Sequence, residues 1–220
     1  MIYVEGGLRL RATDSIVGIA TKITMNKRVK SNSVRLIAGQ WRGRRLPVLD
    51  SQGLRPTIDR VRETLFNWLM HECQGARALD LFAGTGALGL ECLSRGAAYV
   101  DFVEHDKRVA QQINDNLQTL KALDRAKVWS MTDSAFIRRQ NIQSQAYDIV
   151  FLDPPFADSL LLVAIDALEK SGVLAASAFI YLEFSERQSI AGIPEHWQLY
   201  RQGKAGQSEF HLYQREESAC

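Results

Sequence analysis

The chain has 220 residues, 46% of them apolar and 24% charged, with a formal net charge of +2. That length suits one α/β domain with a small appendage, and the composition is that of an ordinary globular protein rather than a fibrous or low-complexity one. No apolar run reaches the roughly 18 residues of a membrane span. The three cysteines, Cys73, Cys92 and Cys220, form no C-x-x-C pair, which argues against a disulfide framework and a zinc site and fits a reducing cytoplasm.

The first 24 residues carry Glu5 and Asp14 ahead of a short apolar stretch and lack a small-residue cleavage pattern, so they do not read as a signal peptide. They show no clear period. Residues 1–32 are expected to be an extension, with the first 24 either disordered or upstream of a natural start at Met25. From Lys27 to Arg45 the chain is basic without an acid. Within it, "SVRLIAG" and "RRLPVL" read as two short strands around the glycine-flanked turn "GQWRG". This predicts a hairpin over residues 33–54 with Trp41, Arg42, Arg44 and Arg45 near its tip. Such a tip is either a solvated basic turn with an exposed Trp or a nucleic-acid contact, since arginines neutralise phosphates and an indole stacks on bases.

"LRPTIDRVRETLFNWLMHEC" follows, with Val61, Leu65, Trp68 and Leu69 at helical spacing and Thr57 or Asp59 as a cap. Phe66 and Trp68 read as core. After Gly75, strand and helix alternate: strands at "ARALDLF", "YVDFVEHD", "AKVWSM", "YDIVFLD" and "AFIYLEF", with helices between them. "HWQLYRQG" and "SEFHLYQR" close the chain as two strands without a helix between. The alternation predicts a mostly parallel seven-stranded sheet with helices on both faces, and the last two strands an antiparallel hairpin at its edge.

"DLFAGTGALGLE" places G-x-G-x-x-G (Gly84, Gly86, Gly89) after a strand and at the start of a helix. Glu104 lies twenty residues beyond Gly84, at the end of the next strand. On spacing alone this matches the dinucleotide fingerprint, in which Glu104 holds ribose hydroxyls. Asp80 argues otherwise. It precedes the glycine turn, where a pyrophosphate would meet its carboxylate at a cost of several kcal/mol at an effective dielectric near 20. S-adenosylmethionine carries an ammonium, a sulfonium and a ribose diol but no phosphate, and suits this charge pattern. Asp80 can also serve simply as an acid at a helix N-terminus. The strand, glycine loop and second acid resemble those of class I methyltransferases. Asp133, after the third strand, corresponds to the adenine-binding position in such enzymes and is equally suited to capping the next helix.

"YDIVFLDPPF" ends a buried strand on Asp153-Pro154-Pro155-Phe156. Ligands of open parallel sheets bind beyond the carboxyl ends of the strands near the topological switch, so Asp153 is expected beside the glycine loop. The prolines stiffen the loop and remove competing N–H groups. What remains is a carboxylate, the Pro154 carbonyl and the flat face of Phe156. Two acceptors can orient a ring-conjugated amine and stabilise the charge it develops during attack on a methyl group. The aromatic would stack on a base that has left its own stack. A plain rigid turn before the following helix is the bland alternative. The motif is similar to the [DNS]-P-P-[YFW] of amine-modifying methyltransferases.

Taken in order, "RLIAGQWRGRRLPV", "GLRPTIDRVRETLFNWL", "LDLFAGTGALGLE", "DPPF" and "KAGQSEFHLYQRE" resemble the RsmD-type 16S rRNA guanine-N2 methyltransferases over about Val34 to Glu216. The resemblance implies a Rossmann-like methyltransferase domain over 55–217 that uses S-adenosylmethionine. It implies action on 16S rRNA in an assembled or assembling 30S particle; a monomer that needs neither metal nor membrane is expected. By position it assigns Asp153, Pro154, Pro155 and Phe156 to the target guanine, and Asp80, Phe82, Gly84, Gly86, Glu104, Asp133 and Thr57 to the cofactor. It assigns Trp41, Arg42, Arg44, Arg45 and Arg55 to RNA. The "RPT" at Arg55 to Thr57 is similar to the family segment that closes over cofactor and target. A DNA adenine-N6 methyltransferase shares the D-P-P-[YF] motif, although no gap here has room for a target-recognition insertion. A non-catalytic RNA-binding protein is a further alternative, against which Asp80 and Asp153 argue.

Overall fold

The strand Tyr147–Leu152 ends in four consecutive apolar residues, Ile149 to Leu152, and such a run has to be covered on both sides. In the computed structural model, which describes residues 33–49, 59–139, 146–155, 160–186 and 190–216, it is strand β6 of a seven-stranded sheet. Ile149 and Phe151 enter one apolar cluster, and Val150 and Leu152 enter the other on the opposite face.

The elements follow in chain order. Strands β1 (Ser33–Arg35) and β2 (Arg45–Pro47) form an antiparallel hairpin around a 3-10 turn at Gly39–Trp41. Helix α1 (Asp59–Trp68) precedes β3 (Arg77–Asp80), α2 (Ala87–Ser94), β4 (Tyr99–Glu104), α3 (Lys107–Leu120), β5 (Ala126–Ser130) and α4 (Asp133–Arg139). After β6 come α5 (Leu160–Ser171) and β7 (Leu174–Ser185). The last two strands are β8 (Trp197–Ala205) and β9 (Ser208–Arg215). The sheet order is β5-β4-β3-β6-β7-β9-β8, parallel except at β9, which runs antiparallel to both neighbours. This is the expected fold, including the terminal antiparallel hairpin.

The chain steps outward from β3 to β5, then returns to β6 on the other side of β3. That reversal is the switch point, and it sets the carboxyl ends of β3 and β6 side by side. Asp80 pairs with Phe151, and the Leu81 N–H donates to the Phe151 carbonyl at 3.1 Å. One face of the sheet is covered by α1, α2 and α3 through Leu65, Phe66, Leu88, Leu90, Ile113 and Leu117. The other is covered by α4 and α5 through Phe136, Leu161, Ile165 and Leu168. Truncating one such fully buried Leu to Ala costs about 2–5 kcal/mol, because the surrounding atoms close only partly on the void. Cys73 and Cys92 are buried small residues within the first cluster.

A hairpin of two three-residue strands is not stable alone, and this one is fastened to α2 and α3. Leu36, Trp41 and Leu46 enter the first core cluster. The Glu91 carboxylate, fully buried in α2, accepts from the Ile37 and Ala38 N–H groups at 2.7 and 3.0 Å. The Ser94 hydroxyl accepts from the Trp41 N–H and donates to the Ala38 carbonyl. Gly39 sits so close to helix α2 that a Cβ there would lie 1.8 Å from the Ser94 carbonyl oxygen. The hairpin is therefore an integral layer over α2 rather than an appendage. The expected boundary at 54/55 and the extension over 1–32 lie outside the described residues.

Candidate active site

The glycine loop is built by backbone demand. Gly84 and Gly86 have φ of 51° and 74°, a left-handed geometry that side chains disfavour. The loop closes through Gly86 N–H to the Ala83 carbonyl at 2.7 Å, and the Ala83 N–H reaches the Val103 carbonyl of β4 at 2.9 Å. The third glycine, Gly89, serves packing: a Cβ there would lie 2.3 Å from the Phe102 ring.

Two carboxylates flank this loop. Asp80, 2% exposed, accepts the Gly89 N–H through Oδ2 at 2.9 Å. It thus supplies the cap that Gly86, the N-cap residue of α2, has no side chain to make. The reading of Asp80 as an acid at a helix N-terminus is therefore correct as far as its contact goes. Burial raises the Asp80 pKa from 3.8 to about 7; the Gly89 N–H opposes the rise and the nearby Glu104 charge adds to it. Glu104, 8% exposed, ties the loop down. Its Oε2 accepts from the Gly84 N–H at 2.9 Å and its Oε1 from the Asp106 N–H at 2.8 Å. The exposed His105 ring lies 3.1 Å from Oε1. Among the described residues no Lys or Arg pairs with either acid, so both stand without a cationic partner beside a loop of backbone N–H groups, and the charge on Asp80 develops as pH approaches 7. A pyrophosphate does not fit that setting. A ligand with an ammonium, a sulfonium and ribose hydroxyls does, since each carboxylate oxygen keeps acceptor capacity beyond its present bond.

Phe82 is half-buried against the second core cluster. Asp133 opens α4 at the carboxyl end of β5, but the α4 cap is Thr132, whose hydroxyl accepts the Ala135 N–H at 3.3 Å. Capping thus does not occupy the Asp133 carboxylate.

Asp153, Pro154 and Pro155 emerge from β6, with Asp153 and Pro154 half-buried and Pro155 exposed. Phe156, Thr57 and Arg55 lie outside the described residues. The register brings in two further residues that sequence motifs do not single out. Phe151 pairs with Tyr181 and Leu152 with Leu182 on parallel β7, so Glu183 stands beside Asp153 one step past the last pair. Asp153, Phe151, Tyr181 and Glu183 fall on one face of the sheet by the two-residue alternation of strands. The Tyr181 hydroxyl donates to Glu183 Oε2 at 2.9 Å. Burial holds the Tyr181 pKa well above its usual value, and the charges of Glu183 and Asp153 add to that. The signal in the sequence is a lone acid inside the apolar run "FIYLEF".

At the hairpin, Arg42, Arg44 and Arg45 are exposed, as expected of a basic tip. Trp41 is corrected: it is 6% exposed and faces the core, with the Arg125 guanidinium 5.3 Å above its ring. An indole held on one side by the core and on the other by an arginine is not available to stack on a base. The basic surface instead extends through Arg125, which donates to the Gln40 side chain at 3.3 Å, and through Lys121 at the end of α3.

Residues 34–214 match the family described as Conserved hypothetical protein 95. A ribosomal RNA small subunit methyltransferase D from Escherichia coli (strain K12) is 50% identical over 186 residues, covering 84% of this chain and 92% of that protein. A protein of the same name from Haemophilus influenzae is 48% identical over 182 residues, covering 82% and 93%. The solved structure of a putative methyltransferase from Escherichia coli superimposes with a TM-score of 0.77 at 47% identity, covering 84% of this chain and 99% of that one. The chain belongs to this family, the RsmD-type ribosomal RNA small-subunit methyltransferases.

Proposed function

We propose that the protein transfers the methyl group of S-adenosylmethionine to the exocyclic N2 amine of one guanine in 16S rRNA, acting in the cytoplasm as a monomer on an assembled or assembling 30S particle. The observation that carries this reading is the adjacency of two strand ends. The acidic glycine loop after β3 and the Asp153-Pro154-Pro155 segment after β6 share the switch point of the sheet.

The cofactor supplies an electrophilic methyl on a sulfonium. Asp80 and Glu104 would hold its cationic amino-acid end and its ribose, with Gly84 and Gly86 allowing close backbone approach. Asp133 and Phe82 would flank the adenine, and Thr57 would help close the pocket. On the substrate side the guanine amine is a weak nucleophile, because its lone pair is delocalised into the ring. The Asp153 carboxylate and the Pro154 carbonyl accept its N–H groups and fix its direction. As the nitrogen gains positive charge, those two acceptors bind it more strongly than they bound the ground state, which lowers the barrier. Asp153 is half-buried, so the proton the amine sheds has a path to solvent. Phe156 would stack on the flipped base. Arg42, Arg44, Arg45 and Arg55 would engage RNA phosphates.

The test is labelled methyl transfer to naked rRNA, 30S particles and duplex DNA, followed by nucleoside analysis. N2-methylguanosine from 30S particles is the expected product. Methyladenine in DNA would sink this reading.

A further inference from the structure

The carboxyl end of β7 carries an acid that the proposed mechanism does not use. Glu183 stands beside Asp153 on the neighbouring strand, and parallel neighbours lie about 4.8 Å apart. Its Oε2 is fixed by the Tyr181 hydroxyl at 2.9 Å, and Tyr181 is itself fully buried between Phe151 and Phe210. Glu183 is only half-buried, so the other oxygen can meet a ligand entering over Asp153. No Lys or Arg among the described residues forms an ion pair with it. Burial pushes the Glu183 pKa up, and the single Tyr181 donor only partly opposes that. A carboxylate in this position lacks donors.

The Watson–Crick edge of guanine presents three N–H groups in a row: two on N2 and one on N1. The loop offers Asp153 and the Pro154 carbonyl, which match the two on N2. The N1–H is left over, and Glu183, at the end of the neighbouring strand, offers a further acceptor.

We propose that Glu183 accepts the N1–H of the target base and is the residue that selects guanine over bases whose N1 carries a lone pair. Adenine presents a lone pair there, and a carboxylate facing it is repelled. The assignment rests on the guanine-N2 reading, so its test must separate the two.

The discriminating substrate is a 30S particle reconstituted with 16S rRNA in which 2-aminopurine replaces the methylated guanine. This base keeps the amine at C2, exchanges the N1–H for a lone pair and lacks the O6 carbonyl, so the N1 contact is read from how the preference changes when Glu183 is altered. A site that hydrogen-bonds a substrate N–H rejects an analogue lacking it by as much as about 10⁴-fold, so the wild-type enzyme should prefer guanine by about 10²- to 10⁴-fold in kcat/KM. Glu183→Gln keeps the shape and an oxygen for Tyr181, and its amide can turn to donate to the lone pair. Its activity on guanine should fall about 10- to 100-fold while the guanine preference collapses to within about tenfold. Tyr181→Phe, which only frees the carboxylate to wander, should reduce the preference by roughly three- to tenfold.

A merely structural role for Glu183 would depress both substrates equally. An unchanged preference in both variants, with S-adenosylhomocysteine affinity intact, overturns the assignment and leaves guanine-N2 methylation standing. If the wild-type enzyme labels no N2-methylguanosine in unmodified particles, both readings fall together.

Discussion

The sheet ends in two pairs of acids, and they are built differently. Asp80 and Glu104, on β3 and β4, are almost wholly buried and receive their hydrogen bonds from backbone N–H groups of Gly84, Gly89 and Asp106. Asp153, just past β6, and Glu183, on β7, are half-buried, one on a proline-stiffened loop and the other held by a tyrosine hydroxyl. Backbone donors cannot be moved by a side-chain rotation, so the first pair is a fixed set of acceptors, and a cation beside it would favour their charged form. The second pair is a set of aimed acceptors suited to the N–H edge of a planar base. The same residue type at the same level of one sheet thus sits in two environments, one almost closed to solvent and one half-open, and the proposed ligands differ accordingly.

The comparison breaks most sharply at Asp153. Asp153→Ala should lower single-turnover methyl transfer by roughly a hundredfold to a thousandfold, the cost of losing one acceptor for developing charge. Its affinity for S-adenosylhomocysteine should stay within about threefold. A rate within about threefold of wild type would remove the aimed acceptors from the mechanism.

Glu104→Ala tests the other pair. It should weaken S-adenosylmethionine binding by about 1.5–3 kcal/mol, since a charge-assisted bond is removed. It should also lower the melting temperature, because two backbone donors lose their partner. Calorimetry that finds tight NADH binding to the wild-type protein would replace the cation-seeking acceptors with a dinucleotide site.

The hairpin arginines are a control on both pairs. Changing Arg42, Arg44 and Arg45 together to Ala should leave cofactor affinity unchanged and flatten the salt dependence of 30S binding. Each phosphate that is no longer neutralised should reduce the log–log slope by roughly 0.7 to 0.9. KM should rise more than kcat falls. An unchanged slope would move RNA recognition off this surface.

The smallest effect is a proton. The folded pKa of Asp80 is raised from 3.8 to about 7, so its contribution to stability is fully present below pH 3.8 and is lost as pH rises through 7. Asp80→Asn should therefore gain melting temperature relative to wild type on going from about pH 5 to about pH 8. A bound ammonium would restore the charged form, so near pH 7 S-adenosylhomocysteine binding should release about half a proton from the wild-type protein and none from the variant. Calorimetry in buffers of different ionisation enthalpy reads this directly. Equal release from both proteins would detach Asp80 from the cation.

Much of this is legible in the sequence because it is local. The strand-to-helix alternation, the φ demands on Gly84 and Gly86 and the rigidity of Asp153-Pro154-Pro155 all follow from short stretches. The adjacency of β3 and β6 follows from the switch-point rule. What escapes depends on register between distant segments. Glu183 gains its meaning only from the alignment of β6 with β7. Trp41 reads as a stacking residue because arginines surround it in sequence, whereas its place is set by Ser94 and Glu91, fifty or more residues away. Arg62 sits among polar neighbours in α1, yet it is 1% exposed and donates to the Arg35 carbonyl at 2.9 Å. The charge of Asp80 points to its ligand, but its bond to Gly89 depends on how closely α2 lies against Phe102.

The seating of the hairpin on α2 also fixes an order of events. Its strands leave the ribosome early, but their partners, Glu91, Ser94 and Asn116, are 53 to 69 residues downstream. Two three-residue strands cannot hold together while they wait. We expect the basic surface to assemble only after α2 and α3 have formed, and pulse-labelled hydrogen exchange should find the Ile37 and Ala38 amides protected later than those of β3 and β4. A nascent chain would then present no ordered arginine surface to the ribosomal RNA beside it until the pocket for the methyl donor has taken shape.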